Sequence, residues 1–185
     1  MKKKFAFFLS IAILSGAMAA SAGSAQAQAF KVCKSTFALC TIAPCSPIPG
    51  NDKEVACRCT VSNSYSAGQE PCQGVKQTAQ GQQIRSRYYP VKSYAVCSND
   101  RPWAWCLDKP CLIDKNNPQA ATCACDAVKN LGDYVIVTSA DTPATCTTGV
   151  ISSATVQQIT QVTDFLKSKS SPLKPFPIQV LNQAK

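Results

Sequence analysis

The chain has 185 residues, twelve cysteines, no histidine and a formal charge of +9, from 19 basic against 10 acidic side chains. Without histidine, Ser-His-Asp and Cys-His catalysis and histidine-ligated metals are excluded. The acidic residues stand singly, with no pattern that sets two carboxyls across a cleft as glycoside hydrolysis needs.

Residues 1–29 read as a secretory signal peptide. Lys2, Lys3 and Lys4 precede the apolar run Phe5–Leu14, and small residues with Ala-x-Ala spacing follow at Ala25–Ala27 and Ala27–Ala29. The run is short of the roughly 20 residues that span a bilayer. Cleavage is expected after Ala29, with Ala27 the second position, so the mature chain is expected in the periplasm or outside the cell. Removing three lysines lowers the formal charge of +9 to +6. The residual charge suits an anionic surface polymer or another exported protein as partner, but it equally describes a solvated surface.

The cysteines fall into two sets, Cys33, Cys40, Cys45, Cys57, Cys59, Cys72 and Cys97, Cys106, Cys111, Cys123, Cys125, Cys146. The first steps by 7, 5, 12, 2 and 13 and the second by 9, 5, 12, 2 and 21. Three identical inner steps predict an internal repeat. Repeat 1 is placed at 30–73 and repeat 2 at 94–147, with 74–93 as a linker and 148–185 as a C-terminal helix and proline-rich tail. Six cysteines per set in an exported chain predict disulfides closed within each set, with 15 connectivities open. On a strand, the two sulfurs of Cys57-x-Cys59 or Cys123-x-Cys125 face the same way, with their Cα atoms about 6.5–7 Å apart, at the edge of disulfide reach. Each should therefore bond elsewhere and make its strand a hub. Units of some fifty residues bury too little apolar surface to fold comfortably without such staples.

Along the chain, strands are predicted near Glu54–Val61 and over "SYAVCS" and "DYVIVTS". "NSYSAGQEP" reads as a turn, and "SPIPGNDKE" and "LIDKNNPQA" as turn-rich inserts. In "RSRYYP" the aromatics Tyr88 and Tyr89 sit among basic residues. That mixture can stack on bases, but packing on a neighbouring repeat is the simpler reading, and nucleic acid is not expected as a partner. "RPWAW" puts Trp103 and Trp105 on one face if extended, a candidate ligand platform or a cover for a small core. Val156, Ile159, Val162, Phe165 and Leu166 recur at helical spacing, capped by Ser153 or Thr155 and ended by Pro172. The tail after it is expected to run extended or to add an edge strand.

No Cys-x-x-Cys occurs, and the Cys40–Cys45 and Cys106–Cys111 spacings fit a zinc knuckle only loosely, so neither a thiol-redox role, a metal nor a cofactor is expected. The Ser171-x-x-Lys174 match contains Pro172 and is followed by Pro175, so a helical turn presenting both groups is not expected there. The resulting expectation is a small, disulfide-rich, mainly β protein: two tandem six-cysteine repeats, then an amphipathic helix and extended tail. Its expected function is non-catalytic binding of a surface polymer, glycan or protein. The alternatives are a protease inhibitor or antimicrobial protein, presenting Lys53 or Lys115 from the inserts Ser46–Lys53 and Leu112–Thr122, and an enzyme of unrecognised type.

Overall fold

The computed structural model describes residues 29–89, 91–142, 145–147, 149–169 and 179–182. The expected signal peptide up to residue 28 and the stretch 170–178, with Ser171 and Lys174, lie outside them. The described chain is mainly β, with one short helix and six disulfides.

Strand β1 (Lys31–Leu39) leads through a turn into β2 (Cys45–Ile48), which hairpins onto the long β3 (Asn51–Gly68). The lower half of β3 pairs with β2 and the upper half with β1, from Leu39↔Thr60 up to Lys31↔Gly68. The segment 63–68, expected as a turn, is therefore strand. Its serines and asparagine carry weak β preference, but β1 supplies a full antiparallel partner and the Cys33–Cys72 bond closes the far end. The predicted strand Glu54–Val61 lies within β3.

Residues 74–93, expected as a linker, carry β4 (Lys76–Thr78) and β5 (Gly81–Arg85), and Ile84, Ser86 and Arg87 are buried. The glutamines misled because this hairpin lies at the end of the sheet with one face in solvent; Ile84 alone fills the inner face. Next come β6 (Ser93–Cys97), β7 (Trp103–Trp105), β8 (Pro110–Ile113), β9 (Ala120–Val128) and β10 (Tyr134–Val137). The turn 114–119 between β8 and β9 is closed by the Asp114 side chain, whose Oδ1 accepts from Asn116 N at 2.8 Å. Strand β11 (Ser152–Thr155) runs into helix α1 (Val156–Lys167), and β12 (Gln179–Val180) adds to the β6 edge in parallel. Thr155 and Gln158 form a capping box at the helix start, so Thr155 and not Ser153 is the cap. The helix ends at Ser168, ahead of Pro172.

The bonds close within each set and in the same nested order. The first cysteine joins the sixth (Cys33–Cys72, Cys97–Cys146), the second the fifth (Cys40–Cys59, Cys106–Cys125) and the third the fourth (Cys45–Cys57, Cys111–Cys123). No cysteine is free. As the Cys-x-Cys geometry predicts, Cys57 and Cys59 reach two different segments, as do Cys123 and Cys125.

Strands β3 and β9 pair antiparallel with Cys57 opposite Cys123, which puts equivalent cysteines face to face. Around that pair the ladders match: Leu39↔Thr60 and Cys45↔Cys57 in the first half correspond to Trp105↔Asp126 and Cys111↔Cys123 in the second. The halves also exchange strands. Arg85 of β5 pairs with Pro110 before the third cysteine of the second set, and Ile151 pairs with Pro44 at the same place in the first. Each half is thus completed by chain from the other. The central core consists largely of sulfur, with Cys57, Cys59, Cys106, Cys111, Cys123 and Cys125 packed among Ala38, Val55, Ile84 and Ala104. Here covalent bonds supply what a larger apolar interior supplies elsewhere, typically about 2–4 kcal/mol each.

Candidate functional site

A cleft of about 70 Å³ opens where the two halves and α1 meet. Its floor is Cys40 and Cys106, which occupy matching positions in their sets. Its walls come from Leu39, Ile42, Leu107 and the β10 residues Val135 and Val137. Its roof is the helix: the buried residues of α1, namely Ile159, Val162, Thr163 and Leu166, all line it. The helix thus packs on Ala67, Tyr94, Val135 and Ala154 and leaves the cleft open beside those contacts. Room for one water takes about 10–15 Å³, so the cleft admits roughly five, or a slim aliphatic chain.

Two side chains mark the mouth. Tyr89 is 42% exposed and Ile42 is 46% exposed. Ile42 also adopts φ 47, in the left-handed region. A β-branched side chain there is a genuine outlier, at a cost on the order of 1–3 kcal/mol. The matching residue of the second half, Asp108, has φ 57. Both follow the second cysteine by two positions, so the same turn is built twice. It is filled by an ion-pairing carboxylate on one side and an exposed apolar group on the other.

Asp108 is engaged on both oxygens. Oδ1 accepts from Arg87 Nη1 at 2.8 Å, and Oδ2 accepts from the backbone N–H of Gln69 at 2.6 Å and of Glu70 at 3.1 Å. Arg87 donates further to Glu70 O, Lys31 O and Cys33 Sγ, while its Nε has no partner among the described residues. The pair is buried, at 4% and 9% side-chain exposure, so the cleft wall at Arg87 offers a charge already neutralised. Gly68 makes this possible, because a Cβ there would stand 2.4 Å from Asp108 Oδ1 and 2.5 Å from Arg87 Nη1. Beside it, Tyr88 has its phenol pushed well above the ordinary value, first by burial and then by the Asp108 charge.

The structure separates the four proposed ligand residues. Tyr88 and Tyr89 line the cleft. The tryptophans do not. Trp103 and Trp105 are neighbours as expected, with centroids 6.4 Å apart, but Trp103 is 2% exposed and stacks on Tyr134 at 6.1 Å. Trp105 is half-buried beside it. They cover the second core with Ile136 and Ile151 and offer no open two-ring platform. The inserts proposed as inhibitory loops are hairpins, with Pro49-Gly50 turning β2 into β3 and 114–119 turning β8 into β9.

Sequence reasoning missed Ile42, Leu107, Arg87 and Asp108. For Ile42, Leu107 and Asp108 the available signal was place: Cys40-Thr-Ile and Cys106-Leu-Asp stand at matching positions of the two sets, with unlike residues where the spacing is identical.

No family model, no curated protein and no solved structure matches this chain.

Proposed function

We propose that the protein is an exported, non-catalytic binding module whose ligand seat is the cleft under α1, and that the ligand inserts a slim aliphatic chain. The observation that carries this reading is that the buried residues of the helix, although Ile159, Val162 and Leu166 also pack in the core, all border one mostly apolar cleft. The lining is mostly apolar, so an aliphatic guest gains by leaving water there. The exposed, strained Ile42 at the mouth fits the same reading, since conformational cost is retained mainly where function uses it. With Arg87 neutralised by Asp108, nothing on that wall calls for an anionic head deep in the site.

Export is supported by the six disulfides, which form and persist in oxidising compartments, and by the leader-like N-terminus. Among the described residues, no helix is long and apolar enough to cross a membrane. We further read the two cysteine sets as copies of one unit, on the strength of the shared disulfide order and ladders. The cleft then lies between the two copies, closed by a helix only the second copy carries.

The test is titration of the mature protein with cis-parinaric acid, a fluorescent fatty acid. Saturable binding is expected, together with its loss in Val162→Phe, where the phenyl ring fills the cleft and the six disulfides remain. Absence of binding, or equal binding by Val162→Phe, overturns the reading.

A further inference from the structure

The cleft floor has a chemistry of its own. Cys40 Sγ, bonded to Cys59, lies 3.5 Å from Cys123 Sγ, which is bonded to Cys111. The sulfurs of Cys40, Cys59 and Cys123 lie within 4.8 Å of one another, and so do those of Cys40, Cys106 and Cys125. Cys40 is the member common to both groups, so one sulfur touches the environment of three disulfides. It is also the half-buried member; Cys59, Cys106, Cys123 and Cys125 are all buried. Cys40 lines the cleft, which gives solvent a path to it, while Cys123 borders a second hollow beside Leu112 and Thr122.

We propose that Cys40–Cys59 is a thiol-exchange site entered from the cleft by a small dithiol, and that Cys40 relays the exchange to Cys111–Cys123, leaving a Cys40–Cys123 bond across the two cysteine sets. The first step is attack of one dithiol sulfur, as thiolate, on Cys40 Sγ. The Cys40–Cys59 bond breaks, and Cys59 departs as thiolate and is protonated by water. The second dithiol sulfur, also as thiolate, then attacks its own partner in the mixed disulfide. This closes the oxidised reagent into a ring and expels Cys40 as thiolate. Cys40 next attacks Cys123 Sγ, already at contact distance; Cys111–Cys123 breaks, and Cys111 leaves and takes a proton. In sum the dithiol loses two electrons, the protein gains two, and Cys59 and Cys111 end as thiols.

The contact makes the last step effectively unimolecular, which favours it over a second external attack. The outer bonds are different. Cys33–Cys72 and Cys97–Cys146 have no second disulfide among the sulfur groups around Cys40, so reducing either returns only its own two thiols. Because Cys40 sits between Leu39 and the Ile42 turn, moving its bond from Cys59 to Cys123 ties the cleft floor across both halves. The proposal uses the cleft only as an access path and does not depend on what else binds there.

The experiment treats the native mature protein with an equimolar amount of dithiothreitol, quenches with acid and N-ethylmaleimide, and maps the peptides by mass spectrometry. A Cys40–Cys123 linked peptide pair with Cys59 and Cys111 alkylated is expected, exceeding any other non-native pairing by about tenfold, as a contact-assisted step should. Joint alkylation of Cys40 and Cys59 without the cross-link, or an intact Cys40–Cys59 bond after the outer bonds have opened, overturns it. In Cys111→Ser/Cys123→Ser, which lacks the acceptor, Cys40 should be alkylated together with Cys59. If that variant does not oxidise correctly, the time course of the natural chain still decides. Failure of the exchange leaves cis-parinaric acid binding untouched, and failure of that binding leaves the exchange untouched.

Discussion

Ser86 and Ser152, 66 residues apart (152 − 86), make the same three hydrogen bonds. Ser86 Oγ donates to Cys106 O and accepts from Lys109 N at 2.9 Å, and Ser86 N donates to Lys109 O at 3.0 Å. Ser152 Oγ donates to Cys40 O and accepts from Ala43 N at 2.8 Å, and Ser152 N donates to Ala43 O at 2.9 Å. Each serine thereby closes the turn after the second cysteine of the opposite half. Both are buried, so replacement by alanine leaves a carbonyl and an N–H without their side-chain partner. Ser86→Ala and Ser152→Ala should each cost about 1–3 kcal/mol in urea unfolding. A single variant within error of the natural chain would mean that the turns hold without the clamp.

Gly68 predicts a larger effect from a single methyl group. In Gly68→Ala the added carbon forces Asp108 and Arg87 apart. Breaking a buried ion pair typically costs about 3–5 kcal/mol, because each charge is left without its partner. A loss of stability of that order, seen as a lowered thermal midpoint, is expected, whereas an unchanged midpoint would show that the pair yields without penalty.

The Tyr88 phenol titrates above its ordinary value of 10.0 in the fold. The unfolded chain therefore releases this proton first as pH rises. The stabilisation is complete below about pH 10 and is lost as pH climbs through the raised folded value. Tyr88→Phe keeps the ring and removes the proton, so its stability should decline less steeply than that of the natural chain above about pH 10. Parallel alkaline curves for the two proteins would assign that decline to other groups.

The disulfides should rank by the loop each one closes. Cys45–Cys57 spans 12 residues and Cys97–Cys146 spans 49. On chain entropy, replacing the second pair by alanines should cost about 1 kcal/mol more than replacing the first. Denaturant midpoints of the two double variants check this, and the reverse order would place the stabilisation in native packing.

Ile42→Asn removes the β-branch from a left-handed residue and substitutes one that tolerates that conformation. A gain of about 1 kcal/mol in stability is expected. The same change should weaken cis-parinaric acid binding, since it removes apolar surface from the mouth of the cleft. Stabilisation with undiminished binding would detach Ile42 from the site.

By itself the sequence determined the covalent plan. Two sets of six cysteines with three equal steps predict closed sets, and the Cys-x-Cys geometry predicts that each hub strand ties two others. Both statements depend only on spacing, which survives folding unchanged. The helix over 156–167 and the β10 strand follow from local periodicity in the same way. Only the tertiary structure decided which of the 15 pairings occurs, that 63–68, 76–78 and 81–85 are strand, that Trp103 faces inward against Tyr134, and that the halves trade strands. Those outcomes depend on register between segments far apart in the chain. Since side chains alternate with a period of two, a strand has no inside until its partner is known. The cleft is the extreme case, for its floor, walls and roof come from both halves and the helix, and no local pattern records their meeting.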